Sequence, residues 1–174
     1  MRGLVMKVLV TGATGFIGYR LAERLLEQGA AVRVLARSAE RAAALRALGA
    51  EVALGDVASG DVASGVGAPA GGLAQAAGGV DAVAHLAGVV RAWGKAAYFD
   101  TNCEGTRRLA ESSRLHGVRN FILVSSMAAQ GPVGPGGRVT EETPPRPVNA
   151  YGESKLAAEK ALSEAAGDMR WMVV

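Results

Sequence analysis

The sequence predicts an α/β fold, in which one doubly wound parallel β-sheet lies between two layers of helices. Short apolar runs alternate with helical patterns along the 174 residues, an order typical of strands joined by helical crossovers. The apolar runs are continuous, as in strands buried on both faces. The first run also ends in a glycine-rich turn that leads directly into a helix. We therefore expect one three-layer αβα domain over residues 1–174, with right-handed connections.

The predicted strands are apolar, β-branched runs that end in turns. They cover residues 7–10, 31–36, 51–54, 80–86, 120–124 and 171–174. Helical patterns connect them, and several of these end at a glycine. We predict helices at residues 19–26, 38–48, 95–115 and 150–166, with Ser38 as the N-cap of the second. A helix at 73–77 would be short and poorly held, and the Gly- and Pro-rich residues 131–147 predict a loop.

The turn after the first strand, residues 12–18, has the spacing G-x-x-G-x-x-G. Gly12 permits a sharp turn, Gly15 lets the backbone approach a pyrophosphate, and Gly18 lets the helix pack closely on the sheet. The start of the helix then offers free N–H groups and a positive dipole end to phosphates. A tight turn without a ligand is the alternative. In this context the motif predicts a Rossmann-type dinucleotide-binding fold with strand order 3-2-1-4-5-6.

Composition and charge argue against several classes of function. The net charge is +3, but basic residues are scattered among acidic ones, which is typical of a solvated surface and not of a nucleic-acid-binding one. No apolar run approaches the roughly 20 residues that cross a bilayer, so we expect no membrane partner. Cys103, the single cysteine, cannot form an internal disulfide and fits a cytoplasmic location. It has no metal-ligating neighbours, so no metal site is predicted.

A second chemical signal is the Y-x-x-x-K pattern formed by Tyr151 and Lys155, which share one face of a predicted helix. A lysine ammonium beside a phenol favours the phenolate, so this tyrosine can exchange a proton with a hydroxyl while hydride moves to or from a nicotinamide. Ser126, at the end of the fifth strand, can hold a substrate oxygen for it. An exposed tyrosine beside a solvated lysine, and a serine capping a strand end, are the alternatives.

These residues, in this order, resemble the extended branch of the short-chain dehydrogenase/reductase superfamily. The matching segments are residues 11–18, 55–56, 85–88, 102–106, 124–126 and 151–155. The resemblance implies that Ser126 orients the substrate oxygen and that Tyr151 is the general acid/base. It implies that Lys155 assists ionisation of Tyr151 and binds the nicotinamide ribose, and that Asn102 supports a proton relay through water. A polar residue on a helix surface is the alternative for Asn102.

The same resemblance implies which residues contact the cofactor. Besides Tyr151 and Lys155 they are Gly12, Thr14, Gly15, Phe16, Ile17, Gly18, Arg37, Ser38, Asp56, Val57, Leu86, Ala87 and Gly88. Asp56 would contact adenine with Val57 beside it. His85 is expected to be a structural residue next to the cofactor.

The end of the second strand favours NADP(H) over NAD(H), although NAD(H) stays possible. An acidic residue there would bind the ribose 2′-hydroxyl of NAD, but the position is Ala36 and is followed by Arg37 and Ser38. A guanidinium suits a 2′-phosphate. A solvated residue at the start of a helix is the alternative for Arg37.

The predicted reaction is NADPH-dependent reduction of a ketone or aldehyde to an alcohol. Met127 and Ala128 follow Ser126 where dehydratases of this branch carry acidic residues, which disfavours dehydration. The missing acid after the second strand argues against an epimerase, which typically holds NAD. Arg37 in combination with residues 88–93 resembles dihydroflavonol 4-reductase-like members. A nucleotide-sugar epimerase and a non-catalytic dinucleotide sensor remain as alternatives.

The resemblance also sets expectations about the rest of the molecule. Relatives of this branch continue into a C-terminal substrate domain that these 174 residues do not include, so turnover by this chain alone is expected to be poor and residues 171–174 to form an exposed edge. A homodimer through the helices carrying Asn102 and Tyr151 is expected. Apart from the resemblance, Met6 directly precedes the first strand, so residues 1–5 are expected to be a dispensable extension. The small residues at 57–79 predict a variable segment, which includes part of the duplication of 56–60 as 61–65.

Overall fold

The computed structural model describes residues 5–59, 72–134 and 136–174, and it is built on a parallel sheet. The strands are β1 (Lys7–Thr11), β2 (Ala31–Ala36), β3 (Glu51–Leu54), β4 (Ala82–His85), β5 (Asn120–Leu123) and β6 (Arg170–Val173). Their order is β3-β2-β1-β4-β5-β6, and each neighbouring pair is parallel. The predicted strand order is confirmed, and each strand begins and ends within two residues of its predicted bounds.

Helices connect the strands. They are α1 (Phe16–Glu27), α2 (Ala43–Ala47), α3 (Gly72–Ala77), α4 (Lys95–Tyr98), α5 (Gly105–Leu115), α6 (Met127–Gln130) and α7 (Ala150–Ala165). A π-helical segment, Phe99–Glu104, joins α4 to α5. The predicted helix at 95–115 therefore exists, but it is widened in the middle where a regular α-helix was expected.

Successive residues of β1 point to opposite faces of the sheet, and each face carries its own apolar core. Val8 and Val10 belong to a cluster formed with α1 and α2. Leu9, between them, belongs to the cluster formed with α3, α5 and α7. Phe121 and Leu123 of β5 point to this second cluster as well. The predicted three layers are thus confirmed, and the buried strand ends bring their loops together at one edge.

The predicted helix at 38–48 is wrong at its start, because regular helix begins only at Ala43. Ser38 is not its N-cap. The Ser38 hydroxyl instead accepts the N–H of Arg41 at 3.3 Å and closes a turn. Residues 39–41 are exposed, whereas Ala42 and Leu45 are buried, so only the later turn has apolar contacts that stabilise it.

The expectation that a helix near residues 73–77 would be poorly held is also wrong. Leu73, Ala76 and Ala77 are buried, and Arg33 of β2 binds the carboxyl end of α3. The Arg33 guanidinium donates to the carbonyl oxygens of residues 75, 76 and 78 at 2.9, 2.9 and 2.6 Å. A positive charge at this end of a helix satisfies its orphan carbonyls and complements its dipole.

Part of the predicted variable segment, residues 60–71, lies outside the described residues, and with it all of the second copy of the five-residue repeat. Residues 1–4 of the predicted extension lie outside them too. Within the part of the chain that the structure describes, no helix is long and apolar enough to span a bilayer. The same described residues contain no cluster of three His, Cys, Asp or Glu side chains that could hold a metal ion.

We predict that Arg33→Met lowers the free energy of unfolding by about 2–4 kcal/mol, because it leaves buried carbonyl groups without a donor and removes a partner of Glu51. Lys7→Met is the matched control, since Lys7 pairs with the same Glu51 but binds no helix end, and it should cost about 0–1 kcal/mol. Urea unfolding followed by circular dichroism measures both. Equal losses in the two variants would contradict the role assigned to Arg33.

Candidate active site

The loops after β1 and β4 are in contact at the carboxyl edge of the sheet, and glycine makes this possible. Gly12 has φ +68°, and a Cβ there would lie 2.7 Å from the backbone N of Ala87. A Cβ on Gly18 would lie 2.3 Å from the carbonyl oxygen of Gly12. Any larger residue at either position would push the turn away from β4 or from α1. The two glycines therefore act as predicted on the shape of the turn.

The start of α1 is open to a ligand. Gly15 is its N-cap and no side chain caps it, so the N–H groups of its first turn keep their hydrogen-bonding capacity. Gly15 also lines the cavities on both sides of the turn, where a Cβ would occupy space. Free donors, a positive helix end and a missing Cβ are what a pyrophosphate requires. The turn therefore fits a dinucleotide.

Two cavities flank the glycine turn and share Gly12, Gly15, Leu86 and Gly88. The first, about 270 Å³, reaches the ends of β2 and β3 and is lined there by Ala36, Arg37, Gly55, Asp56 and Val57. The second, about 500 Å³, reaches α7 and is lined by Phe16, Ile17, Gly18, Val90, Val124, Ser125, Tyr151 and Lys155. Most predicted cofactor-binding residues thus line one cavity or the other. Ser38, Asn102 and Ser126 line neither.

At the far end of the first cavity, Asp56 and Arg37 face each other. The Asp56 carboxylate accepts the N–H of Ala58 at 3.0 Å, and its other oxygen lies 3.9 Å from the Arg37 guanidinium. The Arg37 side chain is 67% exposed, so this ion pair leaves most of its donors free. On the opposite side Gly105 packs closely against Val57, since a Cβ on Gly105 would lie 3.1 Å from the Val57 side chain.

A buried hydrogen-bond chain runs through His85 and joins the end of β1, the loop after β4 and the π-helical segment. The Thr106 hydroxyl donates to the carbonyl of Asn102 at 2.6 Å, so it accepts from His85 Nε2–H at 3.1 Å. His85 Nδ1 then accepts from the Thr11 hydroxyl at 2.6 Å. Thr11 in turn accepts the N–H of Ala87 at 3.1 Å. Each hydroxyl donates once and accepts once, which fixes the neutral imidazole with its proton on Nε2.

The charge state of His85 follows from the same surroundings. The ring is fully buried, and burial together with the nearby Lys155 ammonium lowers the pKa of His85 to about 3. The imidazole therefore stays neutral at ordinary pH. It lines neither cavity, in keeping with the structural role predicted for it.

Asn102 lies in the π-helical segment, 1% exposed, and ties the loop after β4 to α7. Its Oδ1 accepts the N–H of Val89 at 2.8 Å, and its Nδ2 donates to the Val89 carbonyl at 3.1 Å and to the Ser154 hydroxyl at 2.9 Å. Ser154 donates onward to the carbonyl of Tyr151 at 2.7 Å. Both amide hydrogens are engaged, so the side chain positions the loop; its part in a water relay stays a prediction.

Tyr151 and Lys155 lie on the first turns of α7, which begins where Asn149 accepts the N–H of Gly152 at 2.8 Å. The Tyr151 ring packs at 6.3 Å from the ring of Tyr98. The Lys155 ammonium donates to the carbonyl of Val124 at 2.8 Å. Burial lowers the pKa of Lys155 to about 8. The structure thus brings the predicted tyrosine and lysine together at the second cavity.

Two adjacent serines at the end of β5 have different hydrogen bonds. Ser125 lines the second cavity and donates its hydroxyl hydrogen to the Glu159 carboxylate. Ser126 accepts the N–H of Ala128 at 3.1 Å as the N-cap of α6, and among the described residues nothing accepts from its hydroxyl. Ala128 packs closely on the start of α7, because a Cβ on Gly152 would lie 2.2 Å from its carbonyl oxygen. Ser126 therefore lies close to the start of α7 with a free donor.

The sequence interpretation missed Ser125, Ser154 and Glu159. Ser154 and Glu159 lie on the helix of the Y-x-x-x-K pattern, so helical spacing could have placed Glu159 one turn beyond Lys155. Nothing local shows that Ser125 binds Glu159, since the two are 34 positions apart.

Comparison with known proteins matches this geometry to one family. The model of the NAD dependent epimerase/dehydratase family matches residues 8–174. A Synechocystis sp. protein named as dihydroflavonol 4-reductase-like is 34% identical over 162 residues, which are 90% of this chain and 44% of that protein. The chain therefore spans less than half the length of this relative.

Solved structures give the same result. A short-chain dehydrogenase/reductase superfamily protein from Agrobacterium tumefaciens with bound NAD has a TM-score of 0.78 and 30% identity, over 96% of this chain and 48% of that one. The UDP-glucuronic acid 4-epimerase from Bacillus cereus, in complex with NAD, has a TM-score of 0.77 and 25% identity, over 97% of this chain and 55% of that one.

We predict that His85 makes the protein less stable in acid. Its pKa in the folded protein is lowered to about 3, whereas in the unfolded chain it is about 6.5. The contribution of neutral His85 to the free energy of unfolding is therefore complete above about pH 6.5. It is lost as the pH falls, by about 1.4 kcal/mol per pH unit between about pH 6 and 4. Urea unfolding at several pH values measures this slope.

His85→Gln should reduce that slope, while His116→Gln, at the exposed end of α5, should leave it unchanged. An unchanged slope in His85→Gln would show that His85 is not buried in its neutral form.

Proposed function

This chain belongs to the NAD dependent epimerase/dehydratase family, and from that premise we propose that it is an NADP(H)-dependent oxidoreductase that reduces a ketone or aldehyde to an alcohol. One observation carries the proposal: Tyr151 and Lys155 line the same cavity as the glycine turn that fits a dinucleotide. A proton donor and a cofactor site thus share one space. The relatives' full length is about twice that of this chain, so activity and substrate are proposed here for the protein that contains it.

A bound nicotinamide would supply the hydride for such a reduction. The chain's own residues bind and protonate the carbonyl oxygen of the substrate. Ser126 donates its free hydroxyl hydrogen to the carbonyl oxygen and orients it. Tyr151 delivers a proton to that oxygen as general acid, and the Lys155 ammonium stabilises the phenolate that remains until solvent reprotonates it.

Arg37 supports NADP(H) as the cofactor. Its side chain reaches the first cavity, is mostly exposed, and has only a long contact with Asp56. A guanidinium in that state has donors available for a 2′-phosphate. The end of β2 is Ala36, so the described strand end offers no carboxylate for a ribose 2′-hydroxyl.

The surface around Tyr151 supports a substrate of apolar character. Val90 lines the second cavity and is 67% exposed. Met127, which follows Ser126, and Val148, three residues before Tyr151, are also exposed. Apolar side chains in this position favour a hydrophobic carbonyl compound over a charged one.

A nucleotide-sugar epimerase is the second candidate, and the similarity to the Bacillus cereus epimerase favours it. The absence of a carboxylate at the described end of β2 and the exposed apolar residues favour the reductase. A non-catalytic dinucleotide sensor would not need Ser126, Tyr151 and Lys155 together. We further propose a cytoplasmic location and a homodimer through the helical segments that carry Asn102 and Tyr151.

We predict that the protein that contains this chain oxidises NADPH in the presence of hydrophobic aldehydes or ketones, and that Tyr151→Phe lowers kcat by about 100-fold or more because the proton donor is lost. Absorbance of NADPH with a panel of carbonyl compounds measures this. Tyr98→Phe is the matched control, since its ring packs on Tyr151, and it should keep most activity. Full activity in Tyr151→Phe would refute the role of Tyr151 as general acid. If the unchanged protein oxidises no NADPH with any compound, the non-catalytic dinucleotide sensor is favoured instead.

We predict that Arg37→Gln weakens NADPH binding by about 10-fold or more and leaves NADH binding unchanged, because only NADPH carries the 2′-phosphate. Fluorescence titration with each cofactor gives the two dissociation constants. Arg41→Gln, at an exposed position of the same β2–α2 connection, is the control and should change neither. An equal loss for both cofactors, or no loss, would argue against the proposed NADP(H) preference.

A further inference from the structure

We propose that Glu159 is a positioning residue that holds the Lys155 ammonium charged and in place at the end of β5. Glu159 follows Lys155 by one helical turn on α7, so both side chains project from one face of the helix. Two successive residues after β5 each bind one of them. The carbonyl of Val124 accepts from the Lys155 ammonium at 2.8 Å, and the hydroxyl of Ser125 donates to the Glu159 carboxylate.

We call this arrangement the clamp: Ser125 holds the Glu159 carboxylate, and the carbonyl of Val124 binds the buried Lys155 ammonium beside it. Lys155 is only 5% exposed, and a neutral carbonyl is its hydrogen-bond partner. Burial of an ammonium favours its neutral form, and the pKa of Lys155 is accordingly lowered to about 8, with the Glu159 carboxylate acting in the opposite direction. Because Ser125 fixes that carboxylate, its charge stays near the ammonium without a direct ion pair.

The other groups around Lys155 do not replace this charge. On β4, His85 is neutral, and on α7 the titratable neighbour toward the cavity is Tyr151. The carboxylates of the π-helical segment are engaged elsewhere, Asp100 with Arg108 and Glu104 with Arg107.

From β5 come only the Val124 carbonyl and the Ser125 hydroxyl. In the described part of the chain, Glu159 is the carboxylate that acts on Lys155.

The clamp also separates the roles of the two serines. The hydrogen of the Ser125 hydroxyl is engaged by Glu159, so Ser125 has no donor left for a substrate. The hydroxyl hydrogen of Ser126 has no acceptor among the described residues. Insofar as it concerns catalysis, the inference rests on the proposed function, in which Lys155 must be charged to assist Tyr151.

The test is a direct titration of Lys155 in the protein without cofactor or substrate. Protein made with ¹³C-labelled lysine gives one Cε signal each for Lys7, Lys95, Lys155 and Lys160, and Lys155→Arg identifies the signal of interest. Glu159→Gln keeps an oxygen that accepts from Ser125 but removes the charge. We expect the Lys155 midpoint to fall by about one pH unit, the scale of a partly screened charge at an effective dielectric constant of about 20.

Glu164→Gln is the matched control, because it removes the same charge from an exposed position of the same helix, and it should leave the midpoint unchanged. Ser125→Ala is a second variant, which keeps the charge of Glu159 but removes the hydrogen bond that fixes the carboxylate. It should lower the Lys155 midpoint by less than Glu159→Gln does. An unchanged midpoint in Glu159→Gln overturns the proposal, as does an equal shift in Glu164→Gln. An unchanged or raised midpoint in Ser125→Ala overturns the role of Ser125.

The same variants separate this inference from the proposed function. If Glu159→Gln lowers the Lys155 midpoint while the protein that contains this chain reduces no carbonyl compound, the role of Glu159 is established and the reductase is refuted. If the protein reduces carbonyl compounds, Glu159→Gln should also lose activity at a pH about one unit lower than the unchanged protein does.

Discussion

The hydrogen-bond chain through Thr11, His85 and Thr106 holds the loops of the candidate active site in register. It starts on a loop N–H after β4, passes the end of β1 and finishes on a carbonyl of the π-helical segment. Because each member is buried and each hydroxyl has one donor and one acceptor role, no member can reorient without leaving a polar group unsatisfied. The glycine turn depends on this constraint, since Gly12 lies against the same loop after β4.

The two buried titratable groups beside the cavity need opposite charge states. His85 serves the hydrogen-bond chain only as a neutral ring, whereas the proposed reduction requires Lys155 as an ammonium. Their surroundings supply this difference: His85 is enclosed by hydroxyls, and Lys155 has a carbonyl and the nearby Glu159 carboxylate. A cation at Lys155 in turn helps to keep His85 neutral, so the two states support each other.

The sequence predicted what depends on local chemistry and periodicity. Strand order followed from alternating elements and a glycine spacing, and the neighbourhood of Tyr151 and Lys155 followed from helical periodicity. Contacts between residues that are far apart in the sequence could not be predicted. An example is Arg33, which binds the end of α3 more than 40 positions away. The early start expected for α2 was wrong because residues 39–41 have no apolar surface to pack against, and the π-helical turn has no local sequence signal that we identify.

Asn102 pairs with the backbone of the loop that follows β4. Its carboxamide binds both the N–H and the C=O of Val89, as a residue of a neighbouring antiparallel strand would, with complementary bonds in both directions. Beyond the last residue of β4 the loop therefore remains paired, although what it pairs with is a side chain. A carboxylate of the same shape would place an acceptor oxygen against that carbonyl in the position of Nδ2 and repel it, and no amino acid carries an amide on a shorter side chain. The asparagine side chain at this position thus takes the place of a paired strand residue.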